Sequence, residues 1–193
     1  MVAVLNPRVP HMRGATVLAR IDWIRRHHGL GSLERVLAAM SPEKANVIRS
    51  AVVASLWIPV DAVMAFIEAI DKVLGRGDLS LVRPLAKHAA RTNMPLLYRI
   101  FYKLGSVEFI MSKAAAVWHA HYDSGVATSR TVPGGLRFRV TDFATPHRIH
   151  CQSVLGWAEE IISLCGAELV SAREVECRLS GGKVCEFEVK YRQ

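Results

Sequence analysis

Three cysteines and a glutamate have the types and spacing that suit metal binding. Cys151, Glu174, Cys177 and Cys185 follow one another at intervals of 23, 3 and 8 residues. Thiolates combined with a carboxylate form a donor set that suits a tetrahedral zinc ion. The sequence therefore predicts a zinc site that ties the region around Cys151 to the C-terminal tail.

The same cysteines allow two other interpretations. Cysteine is among the residue types most often buried, and Cys151 and Cys165 stand where a small apolar side chain would also serve. A disulfide across the tail would need an oxidising compartment. Within the metal hypothesis, His150 is an alternative to Glu174 as the fourth ligand.

The tail is predicted to form a β-hairpin centred on Gly181. A three-residue loop over residues 180–182 would place Cys177 directly opposite Cys185 on one face. Glu174 lies three residues before Cys177, which puts it on the other face of an ideal strand. Shared ligation therefore requires a β-bulge or a strong twist near Glu174.

A strand and a helix are predicted before this hairpin. Apolar and polar residues alternate over residues 136–140, which is the period of a half-buried strand. A helix opens at Thr145-Pro146 and ends at Gly166, with Cys151 on its apolar face. We expect this helix to pack on the inward face of the hairpin.

The N-terminal two-thirds of the chain is predicted to be helical. Apolar spacing, caps and terminators predict helices over residues 14–28, from 32, over 41–54, 60–74 and 79–92, and a core helix with an apolar stripe over 107–118. Val17, Leu18, Ile21 and Ile24 mark the apolar face of the first helix. We therefore predict an α+β fold in which the helical N-terminal two-thirds packs with a small antiparallel sheet formed mainly by the C-terminal third.

Length and composition predict one globular unit. The 193 residues are 51% hydrophobic and 22% charged, which is enough apolar material for one buried core. We divide the chain into an N-terminal extension, residues 1–13, and a single domain, residues 14–193. No uncharged run is long enough to span a bilayer, and the first residues do not resemble a signal peptide, so we expect a cytoplasmic protein without a transmembrane segment.

The basic residues are dispersed along the chain. The net charge of +8 comes from 25 Lys and Arg against 17 Asp and Glu, without a long basic run. Such a distribution is more typical of a solvated surface than of a nucleic-acid or membrane site. Nucleic acid is therefore not an expected partner.

A frame of spaced residues in the C-terminal part resembles a known family. The frame consists of Cys151-Gln152, Gly156-Trp157-Ala158, Gly166, Arg173-Glu174-Val175-Glu176-Cys177, Gly181, Cys185 and Phe187. It resembles the 4-vinyl reductase domain, a small-ligand-binding module of phenol- and xylene-responsive transcription activators. In those sensors, the positions matching the four predicted ligands bind a structural zinc. The resemblance also implies the ligand-binding fold shared by nitric-oxide sensors and Golgi transport (TRAPP) subunits.

Aromatic residues of the helical part are candidates to line a ligand pocket, although each is also a plausible core residue. The related sensors hold phenol with a His and a Trp, but residues 128–150 contain no Trp, so the resemblance does not carry phenol binding over. His119 and His121 lie two residues apart on a helix and point in different directions, which argues against a shared metal. The candidate pocket residues are Tyr98, Phe101, Tyr102, Phe109, Met111, Trp118, His121 and Trp157.

These features together predict a non-enzymatic, sensor-like domain that binds a small apolar or aromatic molecule and carries a structural zinc. The sequence has no phosphate-binding loop, nucleophile elbow or His-Glu-x-x-His motif, and a zinc with four protein ligands has no open position for a substrate. The alternatives are a TRAPP-like scaffold protein and an accessory factor in tetrapyrrole metabolism. Expected partners are a second copy of the chain in a homodimer and, for a sensor, a separate output protein.

Overall fold

A computed structural model describes residues 9–93 and 107–192, and in these ranges most helices precede a four-stranded sheet. The helices are α1 (Ala15–His28), α2 (Ser32–Ala38), α3 (Pro42–Ser50), α4 (Val60–Leu74), α5 (Val82–Asn93), α6 (Val107–Met111), α7 (Ala114–His121) and α8 (Arg148–Leu164). The strands are β1 (His11–Arg13), β2 (Trp57–Pro59), β3 (Val126–Val132), β4 (Gly135–Thr141), β5 (Glu168–Glu176) and β6 (Cys185–Arg192). The predicted α+β fold is confirmed.

The helix boundaries follow from local capping chemistry. Ser41 is the N-cap of α3, where its side chain accepts a hydrogen bond from the Lys44 backbone N–H, and Pro42 occupies the first turn. Gly29 ends α1 with a φ of +81°, a conformation that favours glycine. The third helix is shorter than predicted and ends at Ser50.

Two helical predictions need correction. The apolar stripe over residues 107–118 lies on two helices, α6 and α7, rather than on one. On α1, Leu18 and Ile21 are only half-buried, and the buried face is instead formed by Thr16, Val17, Ala19, Arg20, Trp23 and Ile24. The charged Arg20 therefore lies inside the face that contacts the core.

The four-stranded sheet has the order β3-β4-β6-β5, and all its neighbouring strands are antiparallel. Strand β4 covers the predicted residues 136–140, and the turn before it contains Gly134 with a φ of +71°. Strand β3 was not predicted, because Ala127 is the one fully buried residue of a mostly polar segment. Two short strands in the helical part, β1 and β2, pair with each other and were also missed.

Helix α8 lies between the helical part and the sheet. It contacts α5 on one side and β5 and β6 on the other. Twelve of its residues are buried, among them Glu159 and Glu160. Glu159 pairs with Arg83 and Lys87 from α5 at 2.6 and 2.8 Å, so ion pairs surround this apolar contact.

Helices α5 and α8 approach most closely at Gly156. A Cβ atom added there would lie 2.7 Å from the Arg83 carbonyl oxygen and 2.8 Å from the Arg83 Cα. Both are backbone atoms, so a larger residue must push the two helices apart. No described helix is both long and apolar enough to cross a membrane.

Replacing Gly156 by Ala is expected to lower the free energy of unfolding. Overpacking typically costs about 1–3 kcal/mol, which exceeds the gain of about 1 kcal/mol in helix propensity. Gly31→Ala is the matched control, because nothing lies within 4 Å of a Cβ atom there and its φ of −71° suits alanine. Urea unfolding of both variants measures the difference, and equal stabilities would contradict a tight α5–α8 contact.

Candidate functional site

The four predicted metal ligands meet where the C-terminal hairpin contacts α8. One ligand atom from each of Cys151, Glu174, Cys177 and Cys185 can be chosen so that all four lie within 4.8 Å of one another. Cys151 comes from α8, Glu174 from β5, and Cys177 and Cys185 from the two sides of the hairpin loop. We call these four residues the cysteine–glutamate cluster.

An irregularity in β5 brings Glu174 to the cluster. Glu174 pairs with Phe187, whereas Glu176 pairs with Glu186, so Val175 is an extra residue in the ladder. The extra residue reverses the alternation of side chains, and Glu174 therefore shares a face with Cys177. The metal hypothesis required such a bulge.

The hairpin has the predicted centre but a longer loop. The Glu176–Glu186 pair sets a register in which Cys177 is opposite Cys185, as predicted. The strands end at Glu176 and Cys185, so the expected three-residue loop is wrong. The loop contains a 3-10 turn, Arg178–Ser180, and Gly181 with a φ of +86°.

The cluster contains a buried carboxylate oxygen for which the described residues supply no hydrogen bond of normal geometry. Glu174 Oε2 accepts from Arg148 Nη1 at 2.6 Å, but Oε1 is buried and unpaired. His150, the alternative ligand, is not part of the cluster. Its ring instead stacks on Phe143 at 4.4 Å between centroids.

Burial favours the uncharged form of the thiols in this cluster. Burial raises the pKa of Cys151 well above its usual value, and the neighbouring Glu174, Cys185 and Cys177 add to the rise. The pKa of Cys177 is also raised, mainly by burial. A bound cation would reverse this effect, because metal coordination favours the thiolate.

A second candidate site is a cavity of about 90 Å³ between α1, α5, α7, α8 and β4. Its walls are mainly apolar and include Met111, Val117, Trp118, Phe138, Val154 and Trp157. Such an apolar concavity with a few polar groups is typical of a small-molecule site.

Four of the eight predicted pocket residues line this cavity. Of the predicted residues, Met111, Trp118, His121 and Trp157 line the cavity. Phe109 is half-exposed and does not belong to the described lining. The remaining candidates lie outside the described residues; they are Tyr98, Phe101 and Tyr102.

Five polar residues of the cavity wall were not predicted from the sequence: Thr16, Arg20, Asn93, Tyr122 and Ser153. Arg20 and Ser153 both line the cavity, and Arg20 Nε and Ser153 Oγ are buried without a hydrogen-bond partner. The position of Arg20 between Val17 and Ile24, at helical spacing from each, was the available signal.

Another polar residue of the wall, His121, donates a hydrogen bond from one ring nitrogen. Its Nδ1 lies 2.9 Å from the Val117 carbonyl oxygen, which can only accept, so Nδ1 is the donor.

Comparisons with known proteins give a fold but no family. No model of a protein family matches the sequence, and no curated protein gives a significant match. Among solved structures, an H-NOX protein from S. oneidensis in the Fe(II) ligation state, a triple mutant, has a TM-score of 0.74 at 11% identity. The match covers 94% of this chain and 97% of that chain. The chain shares its fold with H-NOX domains.

Two further structures support this similarity. An H-NOX protein from K. algicida, in the Fe(II) unliganded state, has a TM-score of 0.63 at 12% identity and covers 94% of this chain and 97% of its own. An oxygen-binding H-NOX domain related to soluble guanylate cyclases, as its oxygen complex, has a TM-score of 0.64 at 14% identity, with coverages of 94% and 96%. The expected relation to the fold of nitric-oxide sensors is supported for the fold alone, which this chain shares with H-NOX domains.

The prediction of zinc as the cofactor is wrong on the evidence of these similar structures. They are in Fe(II), Fe(II)NO or oxygen-bound states, which point to haem rather than zinc. His121 is a described cavity residue of a type that can ligate haem iron. A cavity of about 90 Å³ is nevertheless smaller than the engineered cavity of about 150 Å³ that takes up benzene. A tetrapyrrole is much larger than benzene, so the described cavity does not enclose a haem, and no haem chemistry is assigned to it.

The cysteine–glutamate cluster remains a proposed metal site without an assigned ion. We propose that its four residues bind one metal ion, because their donor atoms converge and Glu174 Oε1 has no other partner. Thiolate-rich donor sets favour soft or borderline ions. Elemental analysis of the purified protein identifies the metal.

Cys177→Ser is expected to lower metal affinity by more than the roughly 10–100-fold typical of outer-shell changes. Cys165→Ser is the matched control, because Cys165 follows α8 and lies outside the cluster. Metal content after dialysis and thermal unfolding before and after chelation measure the effect. Unchanged metal content in Cys177→Ser would contradict the proposal, as would a chelated wild-type protein with unaltered melting.

Proposed function

We propose that this chain is a non-enzymatic, sensor-like domain that binds a small molecule in the cavity between α1, α5, α7, α8 and β4. The observation that carries the proposal is a largely apolar cavity wall that a few polar groups interrupt. The shared fold with H-NOX domains is consistent with ligand sensing but does not specify a ligand.

The described cavity wall lacks the arrangement of a nucleophilic enzyme. Ser153 Oγ has no hydrogen-bond partner, so no base contacts it in the described chain. His121 Nδ1 donates to the Val117 carbonyl rather than to a carboxylate. A nucleophile held by an oriented base is the usual signature of covalent catalysis, and these side chains do not form one.

Helix α8 gives the cavity a physical connection to the cysteine–glutamate cluster. Cys151 belongs to the cluster, and Ser153 and Val154, two and three residues later, line the cavity. Strand β4 adds a second connection, because Phe138 lines the cavity and pairs with Phe187 of β6. A ligand that moves α8 or β4 would therefore act on the hairpin.

The proposal also includes the class of ligand, the oligomeric state and the means of signalling. The resemblance to the 4-vinyl reductase domain supports a small aromatic or apolar ligand. A homodimer and a separate output protein would supply the means of signalling. The iron-bearing states of the similar structures make haem the competing ligand, which the following experiment also addresses.

Binding is expected to raise the stability of the wild-type protein and to be lost in Ala114→Leu. A ligand at about 100 times its Kd stabilises the folded state by about 2.7 kcal/mol. Ala114 lines the cavity, whereas the adjacent Ala115 is exposed, so Ala115→Leu is the matched control. Thermal unfolding with phenol, toluene, benzamide and benzoate measures the shift, and native mass spectrometry detects a co-purified ligand.

The same protein preparations distinguish the competing outcomes. We expect no Soret band after incubation with hemin and desalting; a stoichiometric band that disappears in His121→Ala would replace the proposal with haem binding. No stabilisation by any probe, no co-purified ligand and no difference between Ala114→Leu and Ala115→Leu would together reject the cavity as a binding site.

A further inference from the structure

We propose that the cavity ligand is a small amphipathic carboxylate, with Arg20 as the partner of its carboxylate group and Ser153 as a second donor. This inference rests on the proposed function, because it assigns a chemical class to the molecule bound in the same cavity. It names an anionic group that neither the apolar walls nor the shared fold would predict.

Arg20 is buried without an opposite charge. Its exposed fraction is 3%, and it lies on the core-facing side of α1 between Val17 and Ile24. Nη1 donates to the Thr16 carbonyl oxygen at 2.9 Å, and Nε has no partner. In the described parts of the chain, no carboxylate forms an ion pair with this guanidinium.

The one acidic residue of α1 does not neutralise Arg20. Asp22 faces away and binds Arg26 and His88, at 2.8 and 2.9 Å. Tyr122, the group that interacts electrostatically with Arg20, has a pKa raised by burial to about 12 and is neutral near pH 7. Burial lowers the pKa of Arg20 to about 10, which still leaves it protonated near pH 7.

Several other buried charges in the described chain are paired with opposite charges. Glu160 pairs with Arg91, and Glu186 and Glu188 pair with arginines of the sheet. Buried charges are strongly disfavoured unless they are paired and hydrogen-bonded. The unpaired Arg20 is therefore a position where an anion supplied from outside would gain binding energy.

Ser153 presents a second unsatisfied group to the same cavity. It is buried on α8, and its Oγ has no hydrogen-bond partner. A hydroxyl can donate to one carboxylate oxygen while the guanidinium donates to the other. Because α1 and α8 each contribute one of these donors, the carboxylate would connect the two helices.

The rest of the cavity selects an apolar body of limited size. Trp118, Phe138, Val154 and Trp157 offer ring and aliphatic surfaces to the remainder of the ligand. The cavity of about 90 Å³ lies below the roughly 150 Å³ of the engineered benzene site. A branched short-chain acid, or a monoaromatic acid that reaches toward the cavity mouth, meets these limits.

Acid and amide pairs of equal shape test the inference directly. Isothermal calorimetry with isovalerate against isovaleramide, and benzoate against benzamide, is run at constant ionic strength on the wild-type protein. Each acid is expected to bind at least about tenfold more tightly than its amide, because a charge-assisted bond replaces a neutral one. Equal binding of acid and amide overturns the carboxylate assignment while leaving the proposed function intact.

Arg20→Met supplies the second test, since it keeps much of the side-chain length and removes the charge. It is expected to abolish the preference for acids, to retain amide binding and to raise the melting temperature of the ligand-free protein. Arg26→Met is the matched control, because Arg26 is an exposed residue of the same helix. Ser153→Ala is expected to weaken acid binding about threefold or more.

The outcomes separate the two levels of the proposal. Unchanged acid affinity in Arg20→Met overturns the inference, as does a wild-type protein that binds amides but no acid. If neither acids nor amides bind, the inference fails, and together with the absent effect of Ala114→Leu so does the proposed function. The acid–amide comparison in wild-type protein decides the matter even if Arg20→Met does not fold.

Discussion

The backbone contact between α5 and α8 at Gly156 is the constraint on which the rest of this structure depends. It sets how closely α8 approaches α5, because no side chain at Gly156 separates the helix from the Arg83 backbone. Ion pairs of Glu159 with Arg83 and Lys87 hold the same contact from the side. Since α8 carries Cys151 and also Ser153, the position of this one helix determines the geometry of both candidate sites.

Buried charges are paired on the sheet, whereas the buried Arg20 of the helical layer is not. On the outer face of the sheet, Glu186 and Glu188 are covered by arginines, and Arg173 and Arg137 hold the pKa of Glu188 below its ordinary value. The buried carboxylates of that face therefore have their counter-charges within the protein. The cavity face differs, because no carboxylate of the described residues pairs with Arg20, and its Nε has no hydrogen-bond partner. Buried charges are paired on the outer face of the sheet but not at the cavity, so an external anion would gain most from pairing at the cavity.

Local signals in the sequence were sufficient for some elements and not for others. Ser41-Pro42 specifies the start of α3, and the alternation over residues 136–140 specifies β4, because each signal is contained in a few adjacent residues. The position of the bulge near Glu174 followed from ligand spacing alone. Strand β3 was missed because its pairing, not its own side chains, makes it a strand.

The burial of Arg20 was missed for a different reason. It depends on contacts between α1 and helices distant in sequence, and these contacts bury the face that carries Arg20 and leave Leu18 and Ile21 half-buried. The metal prediction divides in the same way. Spacing indicated which residues converge, but donor types alone did not determine the ion, and the similar iron-bearing structures corrected zinc.

The extra residue at Val175, one of two register shifts in β5, constrains the length of this part of the strand. Strand β5 presents Arg173 to the charged outer face and Glu174 to the inner face, and Val175 then resets the alternation so that Cys177 also faces inward. The alternation of inward and outward side chains is therefore shifted by one residue after Val175. Substitutions at this position are tolerable in principle, whereas a deletion would turn Glu174 away from the thiols. Length is therefore more strictly constrained here than residue identity.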